Sequence, residues 1–158
     1  MKLIITDHNL IKESKNAIIF TWDGYIENEN HNSLFVYIDK NALRLRKKYL
    51  NWVFNTSNIK YKNKTIVESL KIRNDFSYWW VTSISEKCPW KQSSVKDIIR
   101  LLAIEEIIEK FNISDIEIET RNLNLYNTFK YSAGLKIEIS KLKFHKQIKE
   151  KSRLKKKN

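Results

Sequence analysis

Cysteine, proline and glycine are scarce in this chain, whose 158 residues include one cysteine, one proline and two glycines. Cys88 has no partner for an internal disulfide, which favours a protein of the reducing cytoplasm. Gly24 and Gly134 stand alone, so neither GxGxxG nor GxxxxGK occurs, and no cofactor is expected in this chain. The three histidines are far apart in the sequence and lack metal-ligand spacing, so no metal site is expected either.

Long hydrophobic runs are also missing. No segment approaches the ~18 consecutive apolar residues that a membrane-spanning helix requires. The N-terminal MKLIITDHNL is too polar for the hydrophobic region of a signal peptide. Because 42% of the residues are nevertheless hydrophobic, the chain has enough apolar material for one folded domain.

The net charge of +12 is unevenly distributed. Residues 141–158 contain eight lysines and one arginine against one glutamate, a net of +8, which leaves +4 for residues 1–140. We therefore predict an α/β domain over 1–140 and a basic C-terminal tail over 141–158 that is solvated or makes a peripheral contact with the inner face of the membrane. Most of the charge excess lies in this tail, so it is weak evidence for a nucleic-acid partner.

Apolar runs and helical patterns alternate along the chain. Short β-rich runs at 2–6, 17–22, 33–38 and 135–140 predict strands. In 114–120, isoleucines alternate with glutamates, which predicts a strand with one wet face or an edge position. Ser94 opens an apolar helical pattern that continues to Lys110. The alternation predicts an α/β fold, a Rossmann-like layered sheet with flanking helices.

The richest segment is FSYWWVTSISEKCPW, residues 76–90. Its spacing predicts a helix from about Asp75 to Lys87, with a core stripe that includes Trp79 and Trp80. A second stripe of the same helix carries groups that can hydrogen-bond a sugar. Pro89 disfavours helical geometry in the residue before it, which sets the end of the predicted helix.

Candidate site residues come from this segment. Glu86 is the first candidate catalytic residue, because a carboxylate beside tryptophans can be desolvated and its pKa raised toward the range of a general acid or base. Surface pairing of Glu86 with a neighbouring lysine is the alternative interpretation. Asp75 is the second catalytic candidate. The predicted substrate-binding residues are Tyr78, Thr82, Ser85, Lys87 and Trp90.

A family resemblance lies in the same region. ALRLRKKYLNWVF (42–54) and, further on, FSYWW with SEKCPWKQSS resemble the N-terminal region of a bacterial surface carbohydrate biosynthesis family found with O-antigen and capsule genes. The resemblance covers about residues 16–142. It implies a glycosyltransferase-like protein of two Rossmann-type halves, in which the N-terminal half holds the acceptor side and often the catalytic base. Family members are several times longer than this chain.

The resemblance predicts an acceptor-side domain that is incomplete without a donor-binding half. The expected partners are a polysaccharide or lipid-linked sugar acceptor and a donor-binding domain or partner protein. Whether the chain is a fragment, a split gene product or a degenerate copy stays open. Two other functions also stay open: a small basic nucleic-acid-binding protein, which lacks RRM, KH and helix-turn-helix signatures, and a non-catalytic interaction domain.

Overall fold

The computed structural model describes residues 1–7, 16–25, 31–86, 93–131 and 138–144. Its strands are β1 (Lys2–Thr6), β2 (Ala17–Thr21), β3 (Asn32–Ser33), β4 (Lys60–Tyr61), β5 (Lys64–Thr65), β6 (Lys71–Arg73), β7 (Phe76–Ser77), β8 (Asp115–Thr120) and β9 (Glu138–Phe144). Its α-helices are α1 (Leu34–Lys40), α2 (Ala42–Ser57), α3 (Ile66–Ser69), α4 (Ser94–Lys110) and α5 (Leu123–Tyr131), and a 3₁₀ helix spans Tyr78–Val81.

The central sheet has five strands in the order β3-β2-β1-β8-β9, and all its neighbouring strands are parallel. The predicted α/β Rossmann-like layered sheet with flanking helices is confirmed. From β1 the chain builds outward to β3, and it then returns to the other side of β1 as β8. The strand order therefore reverses between β1 and β8, which makes this the topological switch point of the sheet.

The core lies between the sheet and the long helices. Leu3 and Ile5 of β1 pair in register with Ile116 and Ile118 of β8, and all four side chains are fully buried. Leu102, Ala103, Ile104 and Ile107 of α4 belong to the same apolar cluster. Burial of each large aliphatic side chain stabilises the fold by about 1.5–3 kcal/mol, so this cluster holds α4 on the sheet.

Two predicted features differ from the structure. The run at 33–38 is helix α1 after a two-residue strand, because the Ser33 hydroxyl caps the helix by accepting from the Val36 N–H at 3.3 Å. Strand β9 continues to Phe144, so the predicted boundary after Ser140 cuts through a strand of the sheet. The remainder of the predicted tail, residues 145–158, lies outside the described residues.

Strand β8 is neither an edge strand nor wet on one face, contrary to the prediction. It lies between β1 and β9, and Glu117 and Glu119 are buried. Lys2 and Lys141 on the two flanking strands both pair with Glu117, the first at 2.8 Å, and Lys143 pairs with Glu119 at 3.2 Å. Lysines on the adjacent strands therefore compensate the buried carboxylates.

Candidate ligand site at the carboxyl edge of the sheet

The switch point places polar residues together at the carboxyl edge of the sheet. Asp7 directly follows β1, Trp22 and Asp23 follow β2, and Arg121 and Asn122 follow β8. In open α/β sheets, ligands bind in the crevice outside the carboxyl ends of the strands at such a point. This edge is therefore the candidate ligand site.

Asp7 links the carboxyl ends of the neighbouring strands β1 and β8. Its Oδ2 accepts from the Thr120 hydroxyl at 2.7 Å and from the backbone N–H groups of Arg121 at 2.7 Å and Asn122 at 3.1 Å. The Asn122 side chain in turn accepts from the Asn124 N–H at 3.0 Å and caps the start of α5. These two backbone N–H groups already bind a carboxylate, so they are not available to a phosphate.

Arg100 organises the neighbouring part of the edge from α4. Its guanidinium donates to Asp23 Oδ1 at 2.7 Å and to Asp97 Oδ1 at 3.0 Å. The same group lies 5.0 Å from the centroid of the Trp22 ring and 4.8 Å from that of Phe35. Two carboxylates and two aromatic rings hold this buried cation in one position, and its charge is balanced within the site.

A small cavity opens beside this network. It has a volume of about 20 Å³ and is lined by Trp22, Asp97, Leu101, Asn122, Asn124, Leu125 and Thr128. The Trp22 side chain is 1% exposed, and its Nε1–H has no acceptor among the described residues. The cavity has the size of a single hydroxyl group or water molecule. A residue with a buried, unpartnered indole donor and a residue with a carboxylate therefore both line a cavity suited to one hydroxyl.

A larger groove of about 440 Å³ lies between α1, α2 and α4. Six of its lining residues are aliphatic, and the other two are Arg46 and Tyr49. The Tyr49 hydroxyl donates to the Ile84 carbonyl at 2.7 Å, and burial raises its pKa. Because this phenol is already committed, the groove offers fewer free polar groups than the carboxyl edge.

The segment predicted as a helix from 75 to 87 is mostly not helical, so that prediction is wrong. Asp75 lies in the exposed turn between β6 and β7, and Tyr78 begins the 3₁₀ helix with 53% of its surface exposed. Trp79 is buried in the core, whereas Trp80 is 48% exposed and is not a core residue. Both tryptophans were predicted to be core residues, and Trp79 alone of the two is one.

Two of the hydroxyls of the predicted polar stripe form hydrogen bonds within the segment itself. The hydroxyls of Thr82 and Ser85 donate to the Trp79 carbonyl at 2.8 and 2.6 Å and lie 3.2 Å from each other. Glu86 is exposed, and its backbone N–H donates to the Thr82 carbonyl at 2.9 Å. The desolvation expected of Glu86 is therefore absent. Its role as a base, like the ligand contacts of Thr82 and Ser85, stays a prediction.

Lys87 and Trp90 lie outside the described residues. None of the five predicted site residues that are described lines the small cavity or the groove. The sequence contained two signals for the carboxyl edge. Trp22 and Asp23 stand where the apolar run of 17–22 ends, and Arg100 is a lone cation between apolar positions of α4.

Comparisons with known proteins do not assign a family. Within the described ranges, no group of three or more histidine, cysteine, aspartate or glutamate side chains is arranged to hold a metal ion. No helix of the described part of the chain is long and apolar enough to cross a membrane. Searches of protein-family models, curated proteins and solved structures each give no significant match.

Proposed function

We propose that this chain is the acceptor-side domain of a surface-polysaccharide glycosyltransferase-like protein, acting with a donor-binding half. The observation that carries the proposal is the small cavity at the switch point, which is hydroxyl-sized and is lined by Trp22, whose buried N–H has no acceptor among the described residues, and by Asp97. The resemblance of the FSYWW and SEKCPWKQSS stretches to a surface carbohydrate biosynthesis family supplies the reaction class.

The charge balance at this edge suits a sugar better than a phosphate. Among the described residues of this edge, Asp7, Asp23 and Asp97 provide three carboxylates, against the buried cation of Arg100, which pairs with two of them, and the exposed cation of Arg121. The negative balance disfavours the diphosphate of a nucleotide sugar through Coulomb repulsion. Asp23 keeps half of its side chain exposed and can accept hydrogen bonds from sugar hydroxyls. The acceptor sugar is therefore the substrate that fits this half.

Chemically, the acceptor side has to position one hydroxyl and remove its proton while the hydroxyl oxygen attacks the anomeric carbon of the donor. The donor's phosphate leaves with the electron pair of the bond that breaks. A carboxylate serves as the base in such a step, and Glu86 and Asp75 are the candidates that the sequence predicts. Both side chains are exposed, but neither lines the small cavity, so either acts as the base only for an acceptor hydroxyl bound outside it.

Ligand-observed NMR with a panel of neutral methyl glycosides tests the binding step directly. Trp22→Phe removes the indole N–H donor and keeps a six-membered aromatic ring. Asp97→Asn removes the negative charge with little change of shape. Trp52→Phe and Asp39→Asn are matched controls on other surfaces. We expect both site variants to weaken glycoside binding about tenfold, the effect of one lost hydrogen bond to a charged or buried group.

Complementation of surface-polysaccharide synthesis tests the biological step, in a cell that supplies the donor half. Trp22 is fully buried and Asp97 pairs with Arg100, so both site variants are tested at a temperature at which circular dichroism shows them to be folded. They should then fail to complement, whereas both controls should complement fully. Glycoside binding by Trp22→Phe and Asp97→Asn at wild-type strength would refute the carboxyl-edge site. Full complementation by both variants would refute the proposed function.

A further inference from the structure

Residues 59–81 form a surface unit, here called the hairpin module. It comprises the β4-β5 hairpin, the single-turn helix α3, the β6-β7 hairpin and the 3₁₀ helix. Eight of the fourteen large hydrophobic side chains that are exposed in the described part of the chain belong to it. They are Ile59, Tyr61, Leu70, Ile72, Phe76, Tyr78, Trp80 and Val81. The exposed apolar surface is therefore concentrated in 23 consecutive residues.

The two hairpins lie side by side because α3 connects them. At the start of α3, the Ile66 N–H donates to the Ile59 carbonyl at 3.1 Å. At its end, the Tyr78 N–H donates to the Leu70 carbonyl at 2.8 Å. Four helical residues span only about 6 Å, so these two links hold both hairpins close together. The exposed side chains are therefore carried by two adjacent hairpins.

Cations are interleaved with these apolar residues. Lys60, Lys62, Lys64, Lys71 and Arg73 are all exposed, and none of them forms an ion pair within the described part of the chain. The ammonium of Lys62 lies 5.4 Å from the centroid of the Tyr61 ring. The module contains two acidic residues, Glu68 and Asp75, so five cations face two carboxylates.

Glu68 is already engaged. Its carboxylate accepts from the N–H of Thr65 at 2.7 Å and from the hydroxyl of the same residue at 2.9 Å, in a capping box for α3. Chiefly the backbone hydrogen bond from Thr65, and to a smaller degree the charges of Lys71 and Lys60, lower the pKa of Glu68. The Glu68 carboxylate is therefore near a lysine of each hairpin, which also places the two hairpins close together.

We infer that the hairpin module docks onto an anionic lipid surface, with Trp80, Tyr78 and Ile72 in the interfacial layer and the lysines and Arg73 against the headgroups. Tryptophan and tyrosine prefer the boundary between apolar and aqueous phases, and lysine and arginine are attracted to anionic headgroups. The centre of a protein interface is depleted of lysine, whereas here lysines are interleaved with the aromatic residues. This composition favours a lipid surface over a protein partner.

The lipid contact is distinct from the carboxyl-edge site and does not depend on it. It also differs from the peripheral contact predicted for the basic tail, because the module supplies aromatic side chains that enter the interface as well as cations. Electrostatic attraction near an anionic surface strengthens binding by roughly fivefold per cation. The apolar side chains should add a component of binding that salt does not screen.

Vesicle flotation with the full chain tests the inference, using phosphatidylcholine vesicles with and without phosphatidylglycerol. We expect binding that requires phosphatidylglycerol. The double variants Ile72→Ser/Trp80→Ser and Lys62→Glu/Arg73→Glu should each reduce the bound fraction about tenfold or more. Leu43→Ser and Lys47→Glu, at exposed positions of α2, are the matched controls and should bind like the wild-type chain. All six positions are exposed, so the thermal unfolding midpoint should hold in every variant.

Tryptophan emission gives a second readout. Adding phosphatidylglycerol vesicles should shift the emission of the wild-type chain to shorter wavelength, and Trp80→Phe should remove most of this shift while Trp52→Phe retains it. Wild-type binding by both double variants would assign the lipid contact to another part of the chain and overturn the inference. Failure of the wild-type chain to bind these vesicles would overturn it as well, and would leave the hairpin module to a protein partner.

Discussion

Arg100 and Asp23 are 77 positions apart in the sequence, yet the guanidinium of one donates to the carboxylate of the other at 2.7 Å. This ion pair joins α4 to the turn after β2. Asp97, one helical turn before Arg100, holds the guanidinium from the other side at 3.0 Å. The orientation of α4 at the carboxyl edge therefore depends on a charge that is almost fully buried.

Arg100→Met tests this dependence. The substitution keeps much of the apolar stem but removes the cation from between two carboxylates and two rings. We expect the free energy of unfolding to fall by about 2–3 kcal/mol, less than the 3–5 kcal/mol of a fully buried pair because Asp23 is half-exposed. Urea denaturation measures the change. Lys48→Met is the control, since the Lys48 pair with Glu105 has both side chains substantially exposed and its loss should cost much less.

The buried carboxylate of Glu117 makes stability depend on pH. Burial acts to raise its pKa, but hydrogen bonds from Lys141 and Lys2 outweigh burial and lower the pKa below its ordinary value of 4.5. A depressed pKa in the folded state stabilises the fold above the unfolded-state pKa, and this contribution disappears as the pH falls through the folded-state value.

Glu117→Gln should therefore destabilise the protein most near neutral pH. The difference in unfolding free energy between the wild type and this variant should shrink progressively below about pH 4.5. Denaturation curves across the acid range measure it. Glu109→Gln makes the same chemical change at an exposed position of α4 and serves as the control. An equal difference at all pH values would contradict the assignment of Glu117 as an ion-paired carboxylate.

Truncation of the two adjacent tryptophans should destabilise the protein to very different degrees. Trp79→Ala empties a buried site and should cost about 3–5 kcal/mol, enough to unfold a domain of marginal stability. Trp80→Ala removes a half-exposed ring and should cost less than about 1 kcal/mol. Chemical denaturation of both variants decides the point. A loss at Trp80 as large as at Trp79 would show that the exposed ring packs against the core.

Glu86→Gln and Asp75→Asn test the predicted bases. Both side chains are exposed, so we expect each substitution to change stability by less than about 0.5 kcal/mol. The one that serves as base should abolish polysaccharide complementation in a cell that supplies the donor half, and Glu109→Gln should not. Complementation by both variants would remove the two carboxylates as candidates.

Local patterns predicted the sheet and the long helix because those elements depend on residues close in sequence. Isoleucine-rich runs became β1, β2 and β8, and the apolar pattern of 94–110 became α4. The strand predicted over 33–38 was wrong because its apolar composition suits a strand and a helix equally well. The Ser33 cap favours the helix. The predicted helix at 75–87 failed because the Ser77, Thr82 and Ser85 side chains bind nearby backbone groups in place of a helical ladder.

The candidate site was harder to predict because its contacts are long-range. Asp23 and Arg100 meet only after the chain has passed through five short strands, three α-helices and a 3₁₀ helix. The alternating glutamates of β8 looked solvent-facing because their lysine partners belong to other strands, and the register that brings them together cannot be read from one segment. Asp7 was overlooked because a single aspartate after a strand has no distinctive spacing.

The central position of β1 also sets the order in which the chain can fold. Leu3 and Ile5 find their partners on β8 more than a hundred residues later, so β1 and β8 cannot pair until residue 118 has been synthesised. At about 5–20 residues per second, the ribosome needs roughly 5–20 s to make the intervening chain. During that time β2 is the one strand already made that pairs with β1 in the folded sheet. Such distant pairing carries a large loop-closure entropy and makes this a slowly folding domain for its size.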